Sequence, residues 1–218
     1  MTTDVNNFDP RFTVTLAALR EAGACYGGYN KLVRSIQGKA FSMKDADREA
    51  YIHLRHDAEI PLLDILKSNG LDDALWVLHC ILDADRDMRL FAVWCARQVE
   101  HLMEDQRSKD ALNVAERFVN GEATDEERDA ARNAAWDAAW PATRGAVWSA
   151  RKAARAAAWG AARGAAGDAV WAARCAAGDA AGDAAGDAAG AAALDAQKEM
   201  FERMCLGTAP WQQAKVAA

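Results

Sequence analysis

Few residues in this chain have the right types to do chemistry. His53, His56, Asp57 and Glu59 stand together as His-x-x-His-Asp-x-Glu, nitrogen and oxygen donors at spacings a metal ion can use. Zinc sites usually present a cleaner set, and a polar loop with two solvated histidines accounts for the same residues. Cys25 lies beside Tyr26, Tyr29 and Lys31, yet spacing places no base or orienting acid next to it, so a nucleophilic role rests on residue type alone. Gly27-Gly28 lacks the Gly-Lys-Ser/Thr that a phosphate-binding loop needs. His79 and His101 fall at near-apolar helix positions and read as partly buried polar residues, while Asp83, Asp85, Arg86, Asp87 and Arg89 read as a solvated helix start. The residues therefore assign no catalytic group, no cofactor and no metal.

A second kind of chemistry is recognition. Between Ala138 and Gly167 there is no acid, whereas Arg144, Arg151, Lys152, Arg155 and Arg163 are basic, with Trp148 and Trp159 interleaved. Such a stretch can follow a nucleic-acid backbone and stack its bases. The order then reverses, with Asp168, Asp179, Asp183, Asp187 and Asp195 against a single Arg174 before Lys198. A helical hairpin turning near Gly164–Gly167 would set Arg163 by Asp168, Lys152 by Asp179 and Arg144 by Asp187, which accounts for the same charges internally.

The elements that must position these groups are helices. Alanine loses no side-chain entropy in a helix, and the region from about Ala130 to about Ala196 has only Thr143, Val147 and Val170 as β-branched residues. Glycines at 178, 182, 186 and 190 permit close backbone approach at a cost of about 0.8–1 kcal/mol each, so a partner helix must supply the stability. Trp136, Trp140, Trp148, Trp159 and Trp171 provide the bulk that alanine lacks. Upstream, Phe12, Leu16 and Leu19 suggest a helix from Pro10 that ends at Gly23 and Gly27-Gly28, with YNKLVRSIQG as a second. Residues 39–59 read as loop with one helical turn. Two helices joined at Asn69-Gly70 follow, then a long one over DRDMRLFAVWCARQVEHLMED and another from Ser108 to Asn120-Gly121. Thr124-x-x-Glu127 is a capping box, and Pro141 breaks or kinks the helix it opens. No strand pattern is present. The expectation is an all-α multi-helix bundle, one compact domain with regions 1–59, 60–123, 124–206 and a tail 207–218, its Ala-rich C-terminal helices closely packed as a hairpin.

Composition bounds the function. Of 218 residues 51% are apolar and 27% charged, the profile of a globular chain that buries a sizeable core. The net charge of −6 argues against a general nucleic-acid binder. Five scattered cysteines without a CxxC pair, and no secretory pattern in MTTDVNNFDP, suggest reduced thiols in a cytoplasm. Asp179, Asp183 and Asp187 interrupt the most apolar run, so no membrane span is expected.

The run LDDALWVL, followed by DRDMRLFAVWCARQVEHLMEDQRSKDALNVAERFVNGEAT and an Ala-rich tail of A-A-x-A-A steps, resembles proteins of phages and prophages. Their bacterial relatives are described as immunity proteins, of class five and its look-alikes. The similarity spans roughly Ile60 to Ala196, with Cys95-Ala96-Arg97, Arg107, Ala111 and Gly121 on the pattern. The glycine-spaced tail and its five tryptophans depart from it. What the resemblance implies is an all-helical, non-catalytic protein that binds and neutralises a toxin or another effector. Arg97 and Arg107, together with Arg144, Trp148, Arg151, Arg155 and Trp159, are then the expected partner-binding residues, because Arg and Trp often dominate interface energy. A phage anti-defence inhibitor, or a nucleic-acid-binding protein using the basic 144–163 face, is the alternative. A self-associating tail is a further expectation.

Overall fold

A computed structural model describes residues 8–37, 50–81, 83–98, 100–102, 105–139 and 187–213. The fold is all-α, with one two-residue strand pair among the described residues. No helix there is long and apolar enough to cross a membrane. The chain divides into two compact units, Met1–Asp83 and Ala84–Ala218. That division differs from the composition-based regions, because the helices after Ile60 pack back on the N-terminal segment.

The first unit corrects the expected opening helix. Phe12, Val14 and Leu16 are buried while Thr13 and Thr15 are only half-buried, a period of two rather than 3.6. Thr13–Val14 (β1) pairs antiparallel with Ile60–Pro61 (β2), Thr13 opposite Pro61 and Val14 opposite Ile60. The Thr15 hydroxyl then accepts from the Ala18 amide at 3.1 Å and starts α1 (Leu16–Glu21) six residues after the expected Pro10. Gly23, at φ +78°, closes it. Helix α2 (Tyr26–Gln37) contains Gly27 and Gly28 in its first turn instead of following them. Gly28 lies there because a Cβ would meet Asp73 Oδ2 at 2.9 Å. Helices α3 (Leu62–Asn69) and α4 (Leu71–Val77) meet at Gly70, and a 3₁₀ turn over Leu78–Cys80 follows. Buried Asn30 clasps the extended strand of chain after Ala50, donating to Ala50 O at 3.0 Å and accepting from the Ile52 amide at 2.9 Å.

In the second unit α5 (Asp85–Arg97) supplies most of the core through Met88, Phe91, Ala92 and Cys95. It ends at Arg97, short of the expected Asp105, and a separate 3₁₀ turn covers Glu100–Leu102. Asp105 caps α6 (Gln106–Val119), which therefore starts two residues before Ser108. In α7 (Asp125–Ala139) the capping box is present in both directions: Glu127 N–H donates to Thr124 Oγ1 at 3.2 Å and Thr124 N–H to Glu127 Oε2 at 2.9 Å. Ala131 of α7 packs on buried Ala111 of α6, the small-on-small contact expected of alanine-rich helices. Helix α8 (Asp187–Cys205) is anchored by bulk instead, with Met200, Phe201 and Met204 buried and Phe201 edge-on to Phe91 at 6.0 Å. Gly207, at φ +69°, turns the chain into the short α9 (Pro210–Gln213). Each of the hairpin pairs Arg163–Asp168, Lys152–Asp179 and Arg144–Asp187 has at least one member outside the described residues.

Candidate functional site

Helix α5 carries the candidate site on a stripe bordering its core, with Leu90 and Val93 buried and Arg86, Trp94 and Arg97 half-buried. Arg86, Leu90, Val93, Trp94 and Arg97 follow one another at i, i+4, i+7, i+8 and i+11, so they form a single stripe. With Glu116 and Asn120 of α6, and Pro210 and Trp211 of α9, they line a half-open groove of about 380 Å³. Leu90, Val93, Trp94, Pro210 and Trp211 form its apolar lining. The two arginines stand eleven residues apart, about 16 Å along the helix axis at 1.5 Å per residue.

Short-range chemistry holds α9 in place. The Trp211 indole N–H donates to Asp87 Oδ1 at 2.9 Å, and Asp87 is only 4% exposed. Arg86 Nη1 donates to Trp211 O at 3.3 Å and its Nη2 to Asn120 Oδ1 at 2.8 Å. The start of α5 is thus a docking point for the C-terminal turn, which corrects its reading as a solvated helix start. Both oxygens facing Arg86 are neutral, and among the described residues no carboxylate lies within ion-pair distance of it. Two of the guanidinium's five donors are thereby engaged, and the Asp87 carboxylate lies in the same cluster through Trp211.

Arg97 differs in kind. Its Nη1 donates to Glu100 Oε1 at 3.0 Å and Oε2 at 2.9 Å, and its Nη2 to Asn113 Oδ1 and Glu116 Oε2, both at 2.8 Å. Burial alone pulls this group down, but the two carboxylates outweigh it and push its pKa up. Arg97 is therefore a staple joining α5, the 3₁₀ turn and α6, with its charge neutralised inside the unit. Arg107 does not line the groove. It is exposed and bonds Asp105 through Nε at 3.0 Å and Nη2 at 2.7 Å, in support of the α6 cap. Of the expected partner-binding residues, the structure brings only Arg97 to the groove. Arg144, Trp148, Arg151, Arg155 and Trp159 lie outside the described residues.

The other chemical candidates are dispersed. Among the described residues no three His, Cys, Asp or Glu side chains gather as a metal site. His53 is exposed and His56 half-buried. His101 is exposed in its 3₁₀ turn rather than partly buried in a helix, because α5 has already ended. Cys25 is exposed at the head of α2, where its sulfur accepts from the Gly28 amide at 3.3 Å in the manner of an N-cap oxygen. Burial pushes the Cys80 thiol up and the Cys95 thiol far up, so neither is poised as a thiolate.

Glu116, Pro210 and Trp211 are the groove residues that spacing did not single out. The helical period of Leu90, Val93, Trp94 and Arg97 was legible, whereas Arg86 read as part of a solvated helix start. Nothing local marked Trp211, which lies 125 residues from Arg86 in sequence. No protein-family model matches the chain, and no match was found among curated proteins or solved structures.

Proposed function

We propose that this is a non-catalytic binding protein that neutralises a toxin or another effector by occluding it, in the way implied by its resemblance to phage and prophage immunity proteins. One observation carries the reading: a groove lined by Trp94 and Trp211 beside Arg86, whose guanidinium donates to two neutral oxygens. Aromatic and arginine side chains that are partly desolvated before binding are the usual anchors of protein interfaces. The groove gathers no nucleophile with a base and no cluster of metal ligands, so its chemistry suits recognition. Action in a reducing cytoplasm is part of the proposal, supported by the free thiols of Cys25, Cys80, Cys95 and Cys205.

The test is capture of a protein partner from a lysate of the encoding organism at near-physiological salt, followed by assay of that partner's own activity with and without this protein. Retention together with inhibition at equimolar ratio is the expected result. A retained fraction that is nucleic acid, lost steeply as salt rises, overturns the proposal in favour of the basic 144–163 face.

A further inference from the structure

The chain carries Asn-Gly twice, at 69–70 and 120–121, each time where a helix ends. Such a pair has a reaction of its own, because a glycine without a side chain lets its backbone nitrogen approach the side-chain carbonyl carbon of the preceding asparagine. The fold treats the two pairs differently. Asn69 is half-buried; its amide nitrogen donates to Gly28 O and to Asp73 Oδ2, both at 2.8 Å, and its Oδ1 accepts from Ser68 Oγ at 2.7 Å. Gly70 is fixed from both sides, its N–H donating to Leu66 O at 3.0 Å and its carbonyl accepting from the Ala74 amide at 3.2 Å as α4 begins. Asn120 and Gly121 are exposed. Among the described residues the side chain of Asn120 has one bond, from Arg86 Nη2 to its Oδ1 at 2.8 Å, so the amide nitrogen has no acceptor there. The turn that ends α6, with Gly121 N–H on Phe118 O at 3.0 Å and Glu122 N–H on Arg117 O at 2.8 Å, belongs to a single exposed helix end, which frays more easily than a junction shared by two helices.

We propose that Asn120 is a site of spontaneous deamidation and that the aspartate it yields forms an ion pair with Arg86 at the rim of the groove. The Gly121 nitrogen bonds to Asn120 Cγ, the Cγ–Nδ2 bond breaks, and the proton lost by Gly121 N–H passes through water to the departing nitrogen, which leaves as ammonia. One water molecule then opens the five-membered imide. Opening at Cγ gives aspartate, and opening at the main-chain carbonyl gives isoaspartate; water is the one co-reactant. Aspartate turns the hydrogen bond from Arg86 into a charge-assisted one. Isoaspartate adds one carbon to the main chain inside both hydrogen-bonded rings that cap α6, so that cap opens. Either product places a new negative charge beside the groove.

The experiment incubates the full chain at pH 8 and 37 °C, and peptide mapping over days separates asparagine, aspartate and isoaspartate at positions 69 and 120. In the folded protein Asn120 is expected to be lost at least tenfold faster than Asn69. In urea the two rates should come within threefold, since flanking structure no longer distinguishes them. Equal loss in the folded protein overturns the proposal, as does faster loss at Asn69 or loss at Asn120 only once urea is added. A tenfold difference that persists in urea overturns it too, because flanking sequence and not the fold would then set the rate. The pairing with Arg86 is read separately, from the drop in urea midpoint on Arg86→Gln. That drop should be larger in the Asn120→Asp background than in wild type, with the excess shrinking as salt rises. Equal drops in the two backgrounds overturn the pairing.

Discussion

At the scale of single residues, Arg86 and Arg97 differ in their neighbours, and the proposed recognition rests on that difference. Residue type treats them alike. The difference comes from neighbours: Arg97 meets Glu100 and Glu116, whereas Arg86 meets Asn120 and a backbone carbonyl. Those neighbours lie up to 125 positions away, so no local pattern encodes the distinction. Cysteine accessibility provides a second test at this scale. Iodoacetamide applied to the native protein should modify exposed Cys25 first, while Cys95, fully buried with its thiol pushed up, should react only after unfolding. Peptide mass mapping over time reads the order, and early labelling of Cys95 would mean that the α5 core is not closed.

Among elements, boundaries separate what the chain declares from what packing imposes. The Thr124–Glu127 box was legible because both partners lie within one turn, and Asn69-Gly70 and Asn120-Gly121 were legible as stops because their glycines take left-handed φ. The start of α1 was not, since Phe12 and Leu16 belong to a period of two and to a period of 3.6 alike. The tie is broken by β2, nearly fifty residues on. The end of α5 was hidden in the same way, because the Arg97 staple draws on α6.

Two predictions belong to these elements. At Gly70, φ is +101° with ψ 178°, a region closed to residues with a side chain, while a Cβ there would touch nothing. Gly70→Ala should therefore cost about 1–3 kcal/mol from backbone strain alone, read as a drop in urea midpoint with an unchanged slope. At Glu127, hydrogen bonds from the Thr124 amide and from Arg117 hold the carboxyl below its ordinary value. A lowered folded-state value means that the carboxylate's contribution is fully present above the ordinary glutamate range and is lost as pH falls through the lowered value. Wild type should thus melt above Glu127→Gln at pH 7, with the gap closing toward pH 3; a gap independent of pH would show that the charge plays no part.

For the whole molecule, the helical class was evident from composition and period, but the division into units at Asp83 and Ala84 was not. Composition changes near Ile60 and Thr124, whereas compactness follows which apolar faces meet. In the second unit the described alanine-rich helices behave in two ways. Helix α7 rests on α6 through Ala131 and Ala111, and α8 is held by Phe201 against Phe91. Large residues at the C-terminal end of α8 bring Trp211 to the head of α5, and this makes the groove.

The most direct measurement is a paired capture from lysate with wild-type protein and Arg86→Gln as baits, both checked for identical helical circular dichroism. The account predicts one protein partner, inhibited by the wild type and retained at least tenfold less by the variant. Equal retention and equal inhibition by both baits would contradict it.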